Sequence, residues 1–316
     1  MTLEHLSELY GLPVYEFPEP GAPAAPLPAA DAVAWKLATG EREHDEKFEG
    51  CWERFLDTVD AGRVRALVLG AGAYGNEIDF DEPGETVELL AAAADRLTGL
   101  KAVYLADLDS EESELSWIAQ SDVSPVLSAY PHLEELGVRG ASEDLLSPVR
   151  HEHLRVLRLE NGGLPVQVVR GLVECDLPAL SHLDLWLGEW YYGRTITVAD
   201  LAPILDGGLL PALEHLGLQD SDIQDDVAAA VAHAPVVARL VSLHLGRGTL
   251  GDAGADALLR GQPLTHLRLL DLEHHFLSEE MMRRLRAALE PSGVRVNLAG
   301  RQQAGRVGGR YVAAGE

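Results

Sequence analysis

Leu154-Arg-Val-Leu-Arg-Leu159 and, 26 residues on, Leu180-Ser-His-Leu-Asp-Leu185 share one spacing: an apolar residue, any two, an apolar residue, any one, and a further apolar residue. The spacing continues in both directions. Upstream it recurs at Leu133/Leu136/Val138, Leu100/Val103/Leu105 and Val64/Leu67/Leu69. Downstream it recurs at Leu213/Leu216/Leu218, Leu240/Leu243/Leu245 and Leu267/Leu270/Leu272, with a weak last copy at Gly293/Val296/Leu298. Successive copies start 21 to 36 residues apart, averaging about 29. A single copy carries no weight, but nine in series describe one structural unit repeated along the chain.

Side chains alternate between the two faces of a strand. The last two apolar residues of each copy therefore point into a core, while the residue between them points away. The first apolar residue enters the same core from the preceding turn. One such strand and its return segment cannot bury that surface alone, whereas stacked copies bury it continuously. The spacing is that of the helix-containing leucine-rich repeat. It predicts an α/β leucine-rich-repeat solenoid, a horseshoe with parallel strands on the concave face and helices on the convex face.

The return segments support this reading. Glu85–Leu97 is Ala-rich with Val87, Leu90, Ala94 and Leu97 at helical spacing. Ser278–Leu289 opens on an N-cap serine followed by two acids, and Asp225–His233 and Asp252–Leu259 behave alike. Residues 61–299 then form a solenoid of about nine repeats. Residues 1–60 form an N-terminal segment and cap: a short helix at Thr2–Tyr10, a Pro/Ala connector at Pro18–Pro28, a strand at Ala32–Ala38 and a helix at Phe48–Val59. Residues 300–316 form a Gly/Arg-rich tail that reads as a disordered end, with docking on an acidic surface or presentation of Tyr311 as alternatives.

Composition narrows the function. Fifty-one acids against 25 bases leave a formal charge of −26. That charge repels nucleic acid and anionic membranes and favours basic protein or peptide partners. Cys51 and Cys175 are too few and too far apart for a disulfide framework or a metal motif. No basic leader opens the sequence and no apolar run is long enough for a membrane span, so a cytoplasmic location is expected. There is no phosphate-binding glycine loop, nucleophile elbow or paired metal-ligand motif. No catalytic residue, metal or cofactor is expected, and the chain does not read as an enzyme.

Binding candidates come from the repeat positions facing away from the core. These are Tyr104, Glu135, Arg139, Arg158, Glu160, His182, Asp184, Trp186, His215, His244, Asp271 and Glu273. Two repeats are long, and insertions in solenoids form loops along one rim. The one after Leu185 adds Trp190 and Tyr191, suited to anchoring a partner. The one after Leu105 carries Asp107, Asp109, Glu111, Glu112 and Glu114 before Trp117. The reading is a non-catalytic protein- or peptide-binding scaffold using its concave face. Two alternatives remain: modification of the chain through its tail, and a His/Asp metal site formed by the concave histidines and carboxylates.

The stretch Ser113–Gly140, Leu154-Arg-Val-Leu-Arg-Leu-Glu-Asn-Gly-Gly163 and the late Arg310-Tyr-Val resemble a bacterial family of uncharacterised cytosolic leucine-rich-repeat proteins. The resemblance covers roughly residues 30–316. Some relatives carry a nucleic-acid-associated domain rich in Trp-Gly-Arg, which this sequence lacks. Others are encoded beside radical-SAM and ATP-grasp-type proteins, which implies an accessory role in a peptide- or metabolite-modifying pathway. The repeat class is also similar to that of the ribonuclease inhibitor, a likeness of fold that assigns no function. The family has no known catalytic residues, so none are carried over.

Overall fold

The computed structural model describes residues 3–22, 26–40, 46–74, 84–305 and 309–314. Two strands open the chain, β1 (Glu8–Leu9) and β2 (Leu12–Glu16), followed by β3 (Ala34–Leu37), β4 (Ala66–Leu69), β5 (Ala102–Leu105) and β6 (Glu135–Arg139). Then come β7 (Val156–Glu160), β8 (His182–Gly188), β9 (His215–Ser221), β10 (Ser242–His244), β11 (Leu269–Asp271) and β12 (Arg295–Asn297). Each strand pairs with the next in sequence, forming one open sheet of 12 strands. Only the β1–β2 pair is antiparallel; every later pair is parallel. The result is an α/β, solenoid-like molecule.

Parallel neighbours need a crossover, and the return segments supply it. Their helices are α1 (Phe48–Thr58), α2 (Gly84–Ala92), α3 (Ser124–Ala129), α4 (Val166–Glu174), α5 (Ala202–Leu205), α6 (Gln224–Val231), α7 (Asp252–Arg260) and α8 (Glu279–Leu289). Ser278 caps α8 by accepting the Met281 N–H at 3.1 Å, as its sequence suggested. The N-terminal strand and helix read from the sequence are β3 and α1, which with β4 make a βαβ unit.

The strand pairing holds the repeat in register. Trp35, Leu67, Val103, Leu136, Leu157, Leu183, Leu216, Leu243, Leu270 and Val296 lie side by side in a single row. From Trp35 to Leu270 every member of this row is fully buried against the helices. Between repeats the backbone repeats a device. The carbonyl just before a strand accepts two successive N–H groups from the next coil, at Arg65, Lys101, Glu134, Arg155, Ser181, Glu214 and Val241. The chain leaves several strands through a left-handed residue two positions beyond the last repeat leucine or valine: Gly140, Asp220, Arg247, His274 and Gly300.

The N-terminal segment departs from expectation. Residues 3–10 contain no helix; Glu8–Leu9 instead pairs with Leu12–Pro13 in a hairpin. Its turn residues Tyr10 and Gly11 both have positive φ, 56° and 70°, as two-residue hairpin turns require.

Each inward leucine touches the repeats on either side, so its loss opens a cavity that the stacked coils cannot close locally. Leu216→Ala, at a fully buried centre of the row, should lower stability by about 2–5 kcal/mol. The midpoint of urea unfolding checks this.

Candidate functional site: the helix-free face of the sheet

The strand residues between the core positions form the other face. Two parts of it differ sharply. Over the first strands the face is small and apolar: Ala34, Ala66, Val68, Ala102 and Tyr104 pack with Leu9 and with Leu6, Leu12 and Val14 of the N-terminal segment. Residues 3–11 therefore fold over this half, and together with the edge strand β2 they make up a strap, residues 3–16. Its backbone is tied down where the Leu3 N–H donates to Ser110 Oγ at 2.7 Å and the Leu6 N–H to Asp107 Oδ1 at 2.9 Å. Tyr10 reaches Glu134 Oε2 at 3.0 Å. Beneath it, Lys36 and Asp107, both buried, form an ion pair at 2.9 Å.

Three expected contact residues consequently lie in the interior. Tyr104 is 1% exposed, Glu135 7% and Arg139 3%. The Arg139 guanidinium donates to Glu160 at 3.0 Å and to the Leu108 carbonyl, and sits 5.7 Å from the Tyr104 ring. Glu135 pairs with Arg158 across neighbouring strands. Gly137 completes the packing, since a Cβ there would run into the Tyr104 ring.

From β7 onward the face is polar and half-exposed. Arg158, Glu160, His182, Asp184, His215, His244, Asp271 and Glu273 all lie here, each partly open to solvent. The His182 and His215 rings stack at 5.3 Å. His215 Nδ1 lies 2.7 Å from Ser242 Oγ, which lies 3.1 Å from His244 Nε2. His244 Nδ1 is 4.0 Å from Asp271 Oδ2, and Asn297 Nδ2 donates to both Asp271 oxygens at 3.0 and 3.1 Å. Asp184 accepts from Gln219 at 2.8 Å, and burial pushes its carboxyl above the ordinary range. Burial, with Arg158 and the neighbouring histidines adding, pushes His182 down to about 3, so its ring is neutral at pH 7.

His215 and His244 thus share a ladder of hydrogen bonds through Ser242, which His182 joins by stacking. Their ligand atoms do not gather with carboxylates into the metal cluster considered as an alternative. Among the described residues, the one grouping with three metal-competent atoms within 4.8 Å of each other is His5, Asp109 and Glu112. Ser242, Gln219 and Asn297, which knit the ladder together, were not among the binding candidates.

The rim corrects one further expectation. Trp186 is 7% exposed with the Arg247 guanidinium 4.0 Å over its ring, so it is enclosed by its own chain. Trp190 and Tyr191 are instead 71% and 72% exposed, on a short 3-10 turn. Trp117, on the corresponding turn of the earlier long repeat, is 60% exposed.

The tail is not a free end. Residues 309–314 return to the C-terminal side of β9: Arg310 pairs with Asp225 at 2.8 Å, and the Ala314 N–H donates to Asp220 Oδ1 at 3.0 Å. His274, Phe276 and Tyr311 pack edge to face. Val312, Ala313 and Ala314 are buried.

No known protein family matches the chain, and no curated protein does. Among solved structures it is similar to a protein from Bacteroides fragilis determined by crystallography as a structural-genomics target. The match has 25% identity and a TM-score of 0.73, and covers 79% of this chain and 70% of that one. Among the described residues no helix is long and apolar enough to cross a membrane.

Burial pushes the Asp220 carboxyl up to about 7, partly offset by Arg247 and by the tail N–H groups. Because its folded value lies above its unfolded one, folding takes up a proton between about pH 4 and 7. Stability falls as pH rises through that window. Asp220→Asn keeps an oxygen for the Ala314 N–H and carries no charge. Its unfolding midpoint should match wild type near about pH 4 and exceed it above about pH 7.

Proposed function

We propose that the chain is a non-catalytic binding scaffold of leucine-rich-repeat horseshoe form that holds a basic protein or peptide on its concave face. The observation that carries this reading is the strap. An extended stretch of the protein's own chain already lies on the first half of the face, seated on Leu6, Leu9, Leu12 and Val14. The second half presents the polar ladder from Arg158 to Asp271 without such a cover. A partner docking there would meet hydrogen-bonding groups held in place by one another, with Trp190 and Tyr191 at the rim as anchors.

The net charge of −26 selects a basic partner, both by steering encounter and by opposing acidic competitors. His182 and His215 add little positive charge, because burial holds both below their ordinary values.

Selection of a random peptide display library on the immobilised protein tests the reading. Enrichment of Lys/Arg-rich peptides is expected, with binding that weakens as salt rises. The Trp190→Ala/Tyr191→Ala pair removes exposed rings and leaves the core intact, so it should weaken the selected peptides by about tenfold or more. No enrichment over an unrelated acidic protein, or peptides indifferent to both salt and the paired substitution, would refute it.

A further inference from the structure

In the turn following β5, two further carboxylates converge on one strap side chain, His5. Asp109 Oδ2 and Glu112 Oε2 both lie 3.5 Å from His5 Nε2. Each carboxylate is held on its other contacts: Asp109 Oδ1 accepts the Glu111 and Glu112 N–H groups at 2.8 and 3.1 Å, and Glu112 Oε2 accepts the Asp109 N–H at 3.0 Å. The remaining Asp109 oxygen is turned to the imidazole.

The other ring nitrogen decides what this arrangement can hold. His5 Nδ1 lies 3.1 Å from the Asp107 carbonyl oxygen. A proton on Nδ1 satisfies that carbonyl and leaves the Nε2 lone pair facing two carboxylate oxygens. Such a facing is repulsive unless a cation or a second ring proton lies between them. A ligating histidine is commonly oriented by a backbone carbonyl in this way.

The distances also fit. Bonds of about 2.1 Å at tetrahedral angles separate ligand atoms by about 3.4 Å, close to the 3.5 Å found from Nε2 to each oxygen. One imidazole with two carboxylates suits zinc and neighbouring transition metals better than magnesium or calcium, which prefer all-oxygen sites. The three side chains are 36%, 27% and 31% exposed, leaving room for a water as fourth ligand and a path for the ion. Lys36 Nζ is 2.9 Å from His5 Nδ1, but its charge is matched by Asp107 Oδ2 at the same distance.

We propose that His5, Asp109 and Glu112 bind a divalent cation of the zinc type that fastens the N-terminal strap to the rim of the sheet. The opposite tautomer, with Nδ1 accepting from Lys36 and an Nε2–H shared between the carboxylates, needs no ion. The experiment separates the two.

Metal-stripped full-length protein is titrated with zinc chloride by calorimetry, alongside His5→Gln and Glu112→Gln. Wild type should take up one equivalent, and each variant should bind about tenfold or more weakly while keeping the wild-type circular dichroism. Cobalt in place of zinc should give the visible absorption of a tetrahedral centre in wild type alone. Hydrogen exchange of the strap amides, residues 3–16, should slow on adding zinc. Wild type that takes up no ion, binding that persists in both variants, or strap amides unmoved by saturating zinc would each overturn the proposal.

Discussion

A parallel strand has nowhere to put its hydrogen bonds or its apolar side chains except against copies of itself and the segments that return between them. Everything else in this protein follows from that constraint. Leu183 is buried because Leu157 and Leu216 flank it in the same row, and each of those depends on its own neighbour. The doubled hydrogen bond from each pre-strand carbonyl couples the coils in the same directional way. Stability is therefore a property of adjacency, and the exposed ends of the stack are where the architecture must be completed.

The N-terminal end is completed in two ways at once. The β3–α1 unit extends the leucine row by Trp35, which packs with Phe17 and Phe55. The chain before it then turns onto the other face as the strap. That second step depends on side-chain size: Ala34, Ala66 and Ala102 share one register row and leave the space that Leu6, Leu9, Leu12 and Val14 fill. Where the same row continues beyond Glu135 as Val156, His182 and His215, the strap ends and the face opens. One face thus contains an apolar half closed by the chain itself and a polar half left half-exposed.

The register of the nine copies was legible in the sequence because periodicity two and the spacing of leucines leave a strand little freedom. The strand pairing puts Tyr104, Arg158, Asp184, His244 and Asp271 in one row of the facing set. Their exposure was not legible. Tyr104, Glu135 and Arg139 belong to the outward set by periodicity, and the strap over Tyr104, Arg158 against Glu135 and Glu160 against Arg139 remove them from solvent. The strap itself was misread because its hairpin turn uses Tyr10 at positive φ, where Asn or Asp would have signalled a turn. Trp186 fails for the same reason: Arg247 over the indole is a contact between distant coils, and composition carries no trace of it. For residues 309–314 the docked alternative, not the disordered end, matches the contact of Arg310 with Asp225.

Charge explains why the strap can be both firmly held and separate from the proposed binding half. Its fixing contacts are to Asp107, Asp109, Glu112 and Ser110 on one turn, while Arg139 closes against Glu160 and the Leu108 carbonyl directly below. Arg139 stands between the two halves: its ring partner Tyr104 lies under the strap, and its ion-pair partner Glu160 is half-exposed on the open side. A partner on the open half would meet Glu160 already satisfied, and could not draw on it without loosening the guanidinium that supports the strap. On the proposed reading the basic partner is therefore left to the carboxylates further along, Asp184, Asp271 and Glu273. Asp184 accepts from the neutral Gln219 amide, and Asp271 accepts from the Asn297 amide and the Glu273 N–H with His244 4.0 Å away.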